Sequence, residues 1–220
     1  MLPRSLHWTG EHLELLDQRR LPREVVLLRL QTWEEVVEAI SSMAVRGAPA
    51  IGVAAAWGVV LAARAGADLS VAMAELRASR PTAVNLGWAL DRMKACTAAS
   101  SPIDVESLAV AAAELEEDDR QLTQRLVDHG LSVLPDAARV LHHCHTGAIA
   151  TAGVGTALGV IEAAYAQGLL KHAWLDETRP RLQGAALSAW ELGCLGVPCT
   201  VIVDGAGGLL MRRGAVAAVR

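Results

Sequence analysis

The sequence predicts an α/β protein: a helical N-terminal part carrying a small β-sheet, followed by a doubly wound, Rossmann-like parallel sheet. Three observations carry that expectation. Apolar runs at 138–141, 173–175 and 198–203 each end in polar residues, with helix-like segments between them. That is the pattern of βαβ units. Residues 32–134 instead show helical periodicity punctuated by capping signals. Before them, apolar runs at 12–16 and 24–30 flank a polar turn that ends in Pro22. They read as a hairpin or small sheet. The boundary between the two parts falls at Leu134-Pro135-Asp136, giving domains 1–134 and 135–220.

The elements follow in order. Thr32-Trp33-Glu34-Glu35 matches a capping box and starts a helix to about Met43, with Val36, Val37, Ile40 and Met43 on one face. Arg46-Gly47-Ala48-Pro49 breaks it. Pro49 suits the first turn of a second helix over 50–65, which is apolar and small throughout and therefore expected to be buried. A third helix covers 70–79. Arg80-Pro81 punctuates the chain at the start of a fourth, over 86–99. A long amphipathic helix or helix pair spans 102–134, with Asp128-His129-Gly130 as a helix end. Its acidic run, 114–119, reads as a solvated face.

Composition narrows the function classes. Of 220 residues, 52% are apolar and 20% charged, the balance of a packed globular chain. Net charge is −4, so neither nucleic acid nor an anionic membrane is an expected partner. No apolar run reaches the roughly 18–20 residues that span a bilayer. The N-terminus lacks a signal-peptide core, and four cysteines without Cys-x-x-Cys spacing suit a reduced, cytoplasmic protein.

Ligands of open α/β sheets bind at the carboxyl ends of the strands. His142-His143-Cys144-His145-Thr146-Gly147 stands at one such end, Asp176-Glu177-Thr178-Arg179-Pro180 at the next, and Asp204-Gly205 at a third. Neighbours on a strand alternate faces, so four consecutive His and Cys residues cannot share one ion, and no metal site is expected there. Cys144, at a strand end before a helix start, suits a nucleophile or an acid/base thiol. The alternative is a small buried apolar residue, and the position favours the functional reading. Arg46 and Gly47 at a helix start favour an anion; the alternative is a tight helix junction with a solvated arginine. Arg80 is a second anion candidate or a surface arginine. Gln183, beside Gly184, is a sugar-hydroxyl contact or a surface glutamine. Gly153, Gly155 and Gly159 do not match a dinucleotide fingerprint and read as a helix-packing face. The residues thus point to a phosphate-friendly, thiol-containing cleft for a phosphorylated small molecule.

At these residues the chain resembles the methylthioribose-1-phosphate isomerase family. The matching stretches are 16–22, Met43 to Gly52 around Arg46-Gly47-Ala48-Pro49, 80–86, and His143-Cys144-His145-Thr146-Gly147. Also matching are 155–159, Asp176-Glu177-Thr178-Arg179-Pro180, 182–185 and 189–192. They occur in the family's order over nearly the whole chain. The fold is shared with ribose-1,5-bisphosphate isomerases and with regulatory subunits of a translation-initiation exchange factor. The Arg-Gly-Ala-Pro and Glu-Thr-Arg-Pro blocks favour the methylthioribose branch.

The resemblance implies a cofactor-free aldose–ketose isomerase of methionine salvage, converting 5-methylthioribose 1-phosphate to 5-methylthioribulose 1-phosphate. It assigns substrate contacts to Arg46, Gly47, Ala48, Arg80 and Gln183, makes Cys144 catalytic, and implies a homodimer. The family's second catalytic group, an aspartate in a Gly-Ala-Asp-Arg motif, would follow the strand in which this chain stops. The resemblance therefore implies an incomplete sheet and a C-terminally truncated chain with little or no turnover. It also implies three remaining strands, with the strand at 139–143 an unpaired edge. Asp204 matches a different family aspartate, and His145 stands where the family usually has Asn. A non-catalytic phosphosugar-binding or regulatory protein of the same fold is the alternative.

Overall fold

A computed structural model describes residues 2–99 and 104–219. Three short antiparallel strands, β1 (Leu6–Trp8), β2 (Leu13–Leu16) and β3 (Leu27–Leu30), form the first sheet in that order. The hairpin at β2 and β3 matches expectation, whereas β1 is too short for period-2 alternation to reveal it.

The helices then follow the expected punctuation. Helix α1 (Trp33–Ser41) begins in a complete capping box: Thr32 accepts from the Glu35 amide, and the Glu35 carboxylate accepts from the Thr32 amide. Helix α2 (Ala48–Arg64) has every residue from Ala50 to Ala62 buried, and lies among α1, α3 (Leu69–Ser79), α4 (Val84–Ala99) and α5 (Val105–Ser132). Alanine and glycine side chains bury no polar group and allow close backbone approach, which suits a central helix. The start expected for α5 at Pro102 lies outside the described residues. At its other end α5 runs through Gly130, where the Val160 methyls occupy the space a Cβ would need.

The acidic run of α5 is not simply a solvated face. Glu116 is buried and accepts from the Trp57 indole at 2.9 Å, while Asp119 accepts from the Ala152 amide at 2.7 Å. Periodicity alone does not reveal this, because partners 59 and 33 residues away turn two of the acids inward.

The second sheet is parallel, in the order β6 (Cys199–Ile202), β5 (Leu170–Asp176), β4 (Ala138–His142), β7 (Ala218–Val219). Val140 registers with Ala173 and Ala218, and Ala173 with Cys199. Strand β4 is therefore central, not the unpaired edge expected, because the Ala217 amide bonds Arg139 at 2.7 Å and β7 continues the pairing. Arg220, expected in that same strand, lies outside the described residues. Helices α6 (Ala157–Ala166) and α7 (Ala189–Cys194) pack Leu158, Ile161 and Leu192 against Val140 and Leu175; α8 (Gly207–Arg212) follows β6. A small apolar cluster of Leu16, Leu21, Ile149 and Leu187 joins the N-terminal sheet to this second core.

Candidate functional site

Gly47 opens α2 at φ +99°, and a Cβ there would lie 2.2 Å from the Ala150 carbonyl oxygen. Only glycine fits, for conformation and for space alike. No side chain caps α2, so its first amides face outward beside Arg46, an arrangement that favours anions. Arg80 is not at a helix start as the sequence suggested. It caps the C-terminus of α3, since Pro81 stops that helix and α4 begins only at Val84.

Beyond β4, Cys144 adopts φ +67° and is exposed. No α-helix follows it directly, contrary to expectation. A loop with one short 3₁₀ turn (Ala148–Ala150) intervenes before α6, held by Thr146 and Thr151, and Gly153 and Gly155 lie in that loop rather than on a helix face. As strand alternation requires, His142 is buried and His143 exposed.

These segments converge. One cavity of about 610 Å³ is lined by Arg46, Gly47, Ala48, Arg80, Cys144 and Gln183, the positions expected to contact substrate or to act in catalysis. Arg181, His145, Thr82 and Asn85 line it as well. Sequence reasoning did not assign Arg181, although the neighbouring Arg179-Pro180 turn was its available signal. Burial, then the charges of Arg181 and Arg80, push the Arg46 pKa down, while Cys144 acts in the opposite direction. Two further guanidinium groups close enough to act on Arg46, all three lining one cavity, mark a place for an anion. Among the described residues, no Asp or Glu lines the cavity.

Gln183 precedes a π-helical turn (Gly184–Ser188) that leads into α7, not a regular α-helix start. Its amide is satisfied with the oxygen accepting from Arg46 Nη2 at 3.2 Å and the nitrogen donating to the Thr178 carbonyl at 2.9 Å. It thus holds Arg46 at the cavity wall.

Behind the cavity lies a buried polar cluster. Glu191, fully buried on α7, accepts from the amides of Ala148 at 2.5 Å and Ile149 at 3.4 Å. Its Oε2 lies 3.6 Å from His145 Nε2. Glu162 on α6 hydrogen-bonds Glu191; burial first, then the Glu191 charge, push the Glu162 pKa up to about 9. Burial also raises Glu191, although its hydrogen bonds oppose that. His145 is pushed down to about 3 by burial, then by His142 and Arg46.

A second group sits at the strand ends, outside the cavity lining. His143 Nδ1 is 3.5 Å from Asp176 Oδ2 and 3.8 Å from Asp204 Oδ1. All three offer ligand atoms within 4.8 Å of one another, a geometry that can hold a cation. The strand-end residues thus separate into the cavity (Cys144, His145) and this outer trio. Asp204, at the third of the strand ends, belongs to the trio and does not line the cavity.

Fold and site together define an α/β protein that brings a thiol and three arginines to one cavity at the end of a parallel sheet. Residues 44–219 match the initiation factor 2 subunit family, and the chain belongs to that family. It is 73% identical over 218 residues to the methylthioribose-1-phosphate isomerase of Parasynechococcus marenigrum (strain WH8102), covering 99% of this chain and 65% of that protein. It is 50% identical over 222 residues to the same-named protein of Alkalilimnicola ehrlichii, covering 97% of this chain and 64% of that one. The chain thus spans about two-thirds of these relatives, 65% and 64% of their lengths. Among solved structures it resembles 5-methylthioribose 1-phosphate isomerase from Pyrococcus horikoshii OT3 (TM-score 0.92, 38% identity, 99% of this chain and 65% of that one). It also resembles the translation initiation factor eIF-2B subunit delta from A. fulgidus (TM-score 0.84, 35% identity, 99% and 67%).

Proposed function

We propose that the chain carries the substrate cleft of a methylthioribose-1-phosphate isomerase, interconverting 5-methylthioribose 1-phosphate and 5-methylthioribulose 1-phosphate in methionine salvage without a cofactor. The observation that carries this reading is the convergence of Arg46, Arg80, Arg181, Gln183 and Cys144 on one cavity. The substrate phosphate lies among the arginines and the first amides of α2, with Gly47 and Ala48 as backbone contacts. Gln183 keeps the Arg46 fork oriented. Isomerisation moves hydrogen between C1 and C2 of the opened sugar, which requires an acid/base group beside those carbons. Cys144 takes that role. A thiol without a carboxylate in the same cavity is half of an acid/base pair, so turnover by the 220 residues is expected to be slow.

The same reading places the protein in the cytoplasm as a homodimer, acting on a small sugar phosphate and not on nucleic acid, with its two parts meeting at 134–135. Among the described residues, no helix is long and apolar enough to cross a membrane. The test measures binding and conversion of 5-methylthioribose 1-phosphate by the purified chain. Binding should weaken about tenfold or more in Arg46→Ala, and residual conversion should vanish in Cys144→Ala. No binding overturns the reading. The likeness to the initiation-factor subunit keeps the non-catalytic alternative in the same test: binding with no Cys144-dependent conversion favours it.

A further inference from the structure

Cys144 departs from ordinary strand geometry at φ +67°, a left-handed region that a non-glycine residue keeps only where its surroundings impose it. Its carbonyl accepts from Ser188 Oγ at 3.2 Å. With that hydroxyl hydrogen so committed, Ser188 Oγ accepts from His145 Nδ1 at 3.2 Å. The other ring nitrogen lies 3.6 Å from Glu191 and makes no hydrogen bond to it, whereas the Glu191 oxygens accept from the amides of Ala148 and Ile149. A Cβ at Gly147 would lie 2.1 Å from Glu191 Oε1, so the chain passes against the carboxylate with no room for a side chain. Residues 144 to 149 are thus wrapped around one buried acid, which α6 holds from behind through Glu162.

We propose that Glu191, backed by Glu162, is a positioning residue for Cys144: by binding the amides of Ala148 and Ile149 and packing against Gly147 and His145 it holds, together with the neighbouring Ser188, the left-handed backbone that presents the thiol to the cavity. Glu191 is too deeply buried to reach a ligand and acts through its neighbours. The inference that the thiol serves catalysis rests on the functional reading above; the positioning itself does not.

The test is site-resolved alkylation of the 220-residue chain by iodoacetamide, followed by peptide mass spectrometry, with exposed Cys194 as the internal reference. Glu191→Ala should raise the Cys144/Cys194 rate ratio about threefold or more, because a released backbone populates conformers with the thiol in solvent. Glu191→Gln keeps an acceptor for the Ala148 amide and should restore the wild-type ratio. Ser188→Ala, which removes the bond to the Cys144 carbonyl without touching the buried acids, should give an intermediate rise and decides the matter if Glu191→Ala does not fold. An unchanged ratio in Ser188→Ala, or in Glu191→Ala of native-like thermal midpoint, overturns the proposal. So does failure of Glu191→Gln to restore it. Inorganic phosphate separates the two readings: it should slow Cys144 alkylation in the wild type and not in Glu191→Ala. Absence of protection in the wild type counts against the phosphosugar reading, while the alkylation ratios still judge the positioning.

Discussion

Gly47 shows how a single residue carries both backbone and site. Its φ of +99° and the 2.2 Å separation between a built Cβ and the Ala150 oxygen leave no substitution without movement. Gly47→Ala should therefore destabilise the chain by about 2 kcal/mol or more. It should also weaken sugar-phosphate binding, because Arg46 and the first turn of α2 move with it. Urea unfolding and calorimetry on the same variant check both. The sequence shows that glycine is tolerated here; the reason lies in Ala150, 103 positions away. Arg181 teaches the converse. Its side chain is unremarkable in the sequence, and its role in the cavity follows only from the turn that brings it beside Arg46.

At the scale of elements, α6 and α7 meet through two carboxyl groups, which makes their packing sensitive to pH. Burial raises the Glu162 pKa from its ordinary 4.5 to about 9. A group raised in the folded state contributes stability that is present below its unfolded pKa and is lost as pH rises through the folded one. His145, pushed down to about 3, acts oppositely, and its contribution changes only below its ordinary value of 6.5. Above about pH 6.5 only the two carboxyls of this cluster, Glu162 and Glu191, therefore still contribute, Glu162 with a slope of at most about 1.4 kcal/mol per pH unit. Urea midpoints should fall from about pH 6.5 to about pH 9 in the wild type, and Glu162→Gln, which keeps a donor for Glu191, should flatten the decline. Equal slopes in both proteins would contradict the assignment. No periodicity marks Glu162 or Glu191 as a pair, since each sits on a different helix 29 residues apart. The capping box at Thr32 and the buried character of α2, by contrast, are local and were readable directly.

For the molecule as a whole, the cavity depends on the N-terminal sheet staying docked on the strand-end loops. Gln18, buried just beyond β2, donates to the Ile149 carbonyl at 2.7 Å and to the Arg46 carbonyl at 3.4 Å. It thereby ties the first sheet to Arg46 at the cavity and to the loop that follows Cys144. Gln18→Ala leaves buried carbonyls without their donor and should cost about 1–3 kcal/mol. It should also weaken sugar-phosphate binding although Gln18 does not line the cavity; a variant that loses stability but keeps wild-type affinity would show that the docking does not matter to the site. By itself the sequence determined the element pattern, the caps, the small-residue core helix and the motifs that meet at the cavity, because these depend on neighbours within a turn or a strand. Only the tertiary structure decided that β4 is central, that Arg80 ends a helix, that Asp204 sides with His143, and that Glu191 stands behind Cys144. Those outcomes depend on contacts between residues far apart in the chain, which a local pattern does not encode.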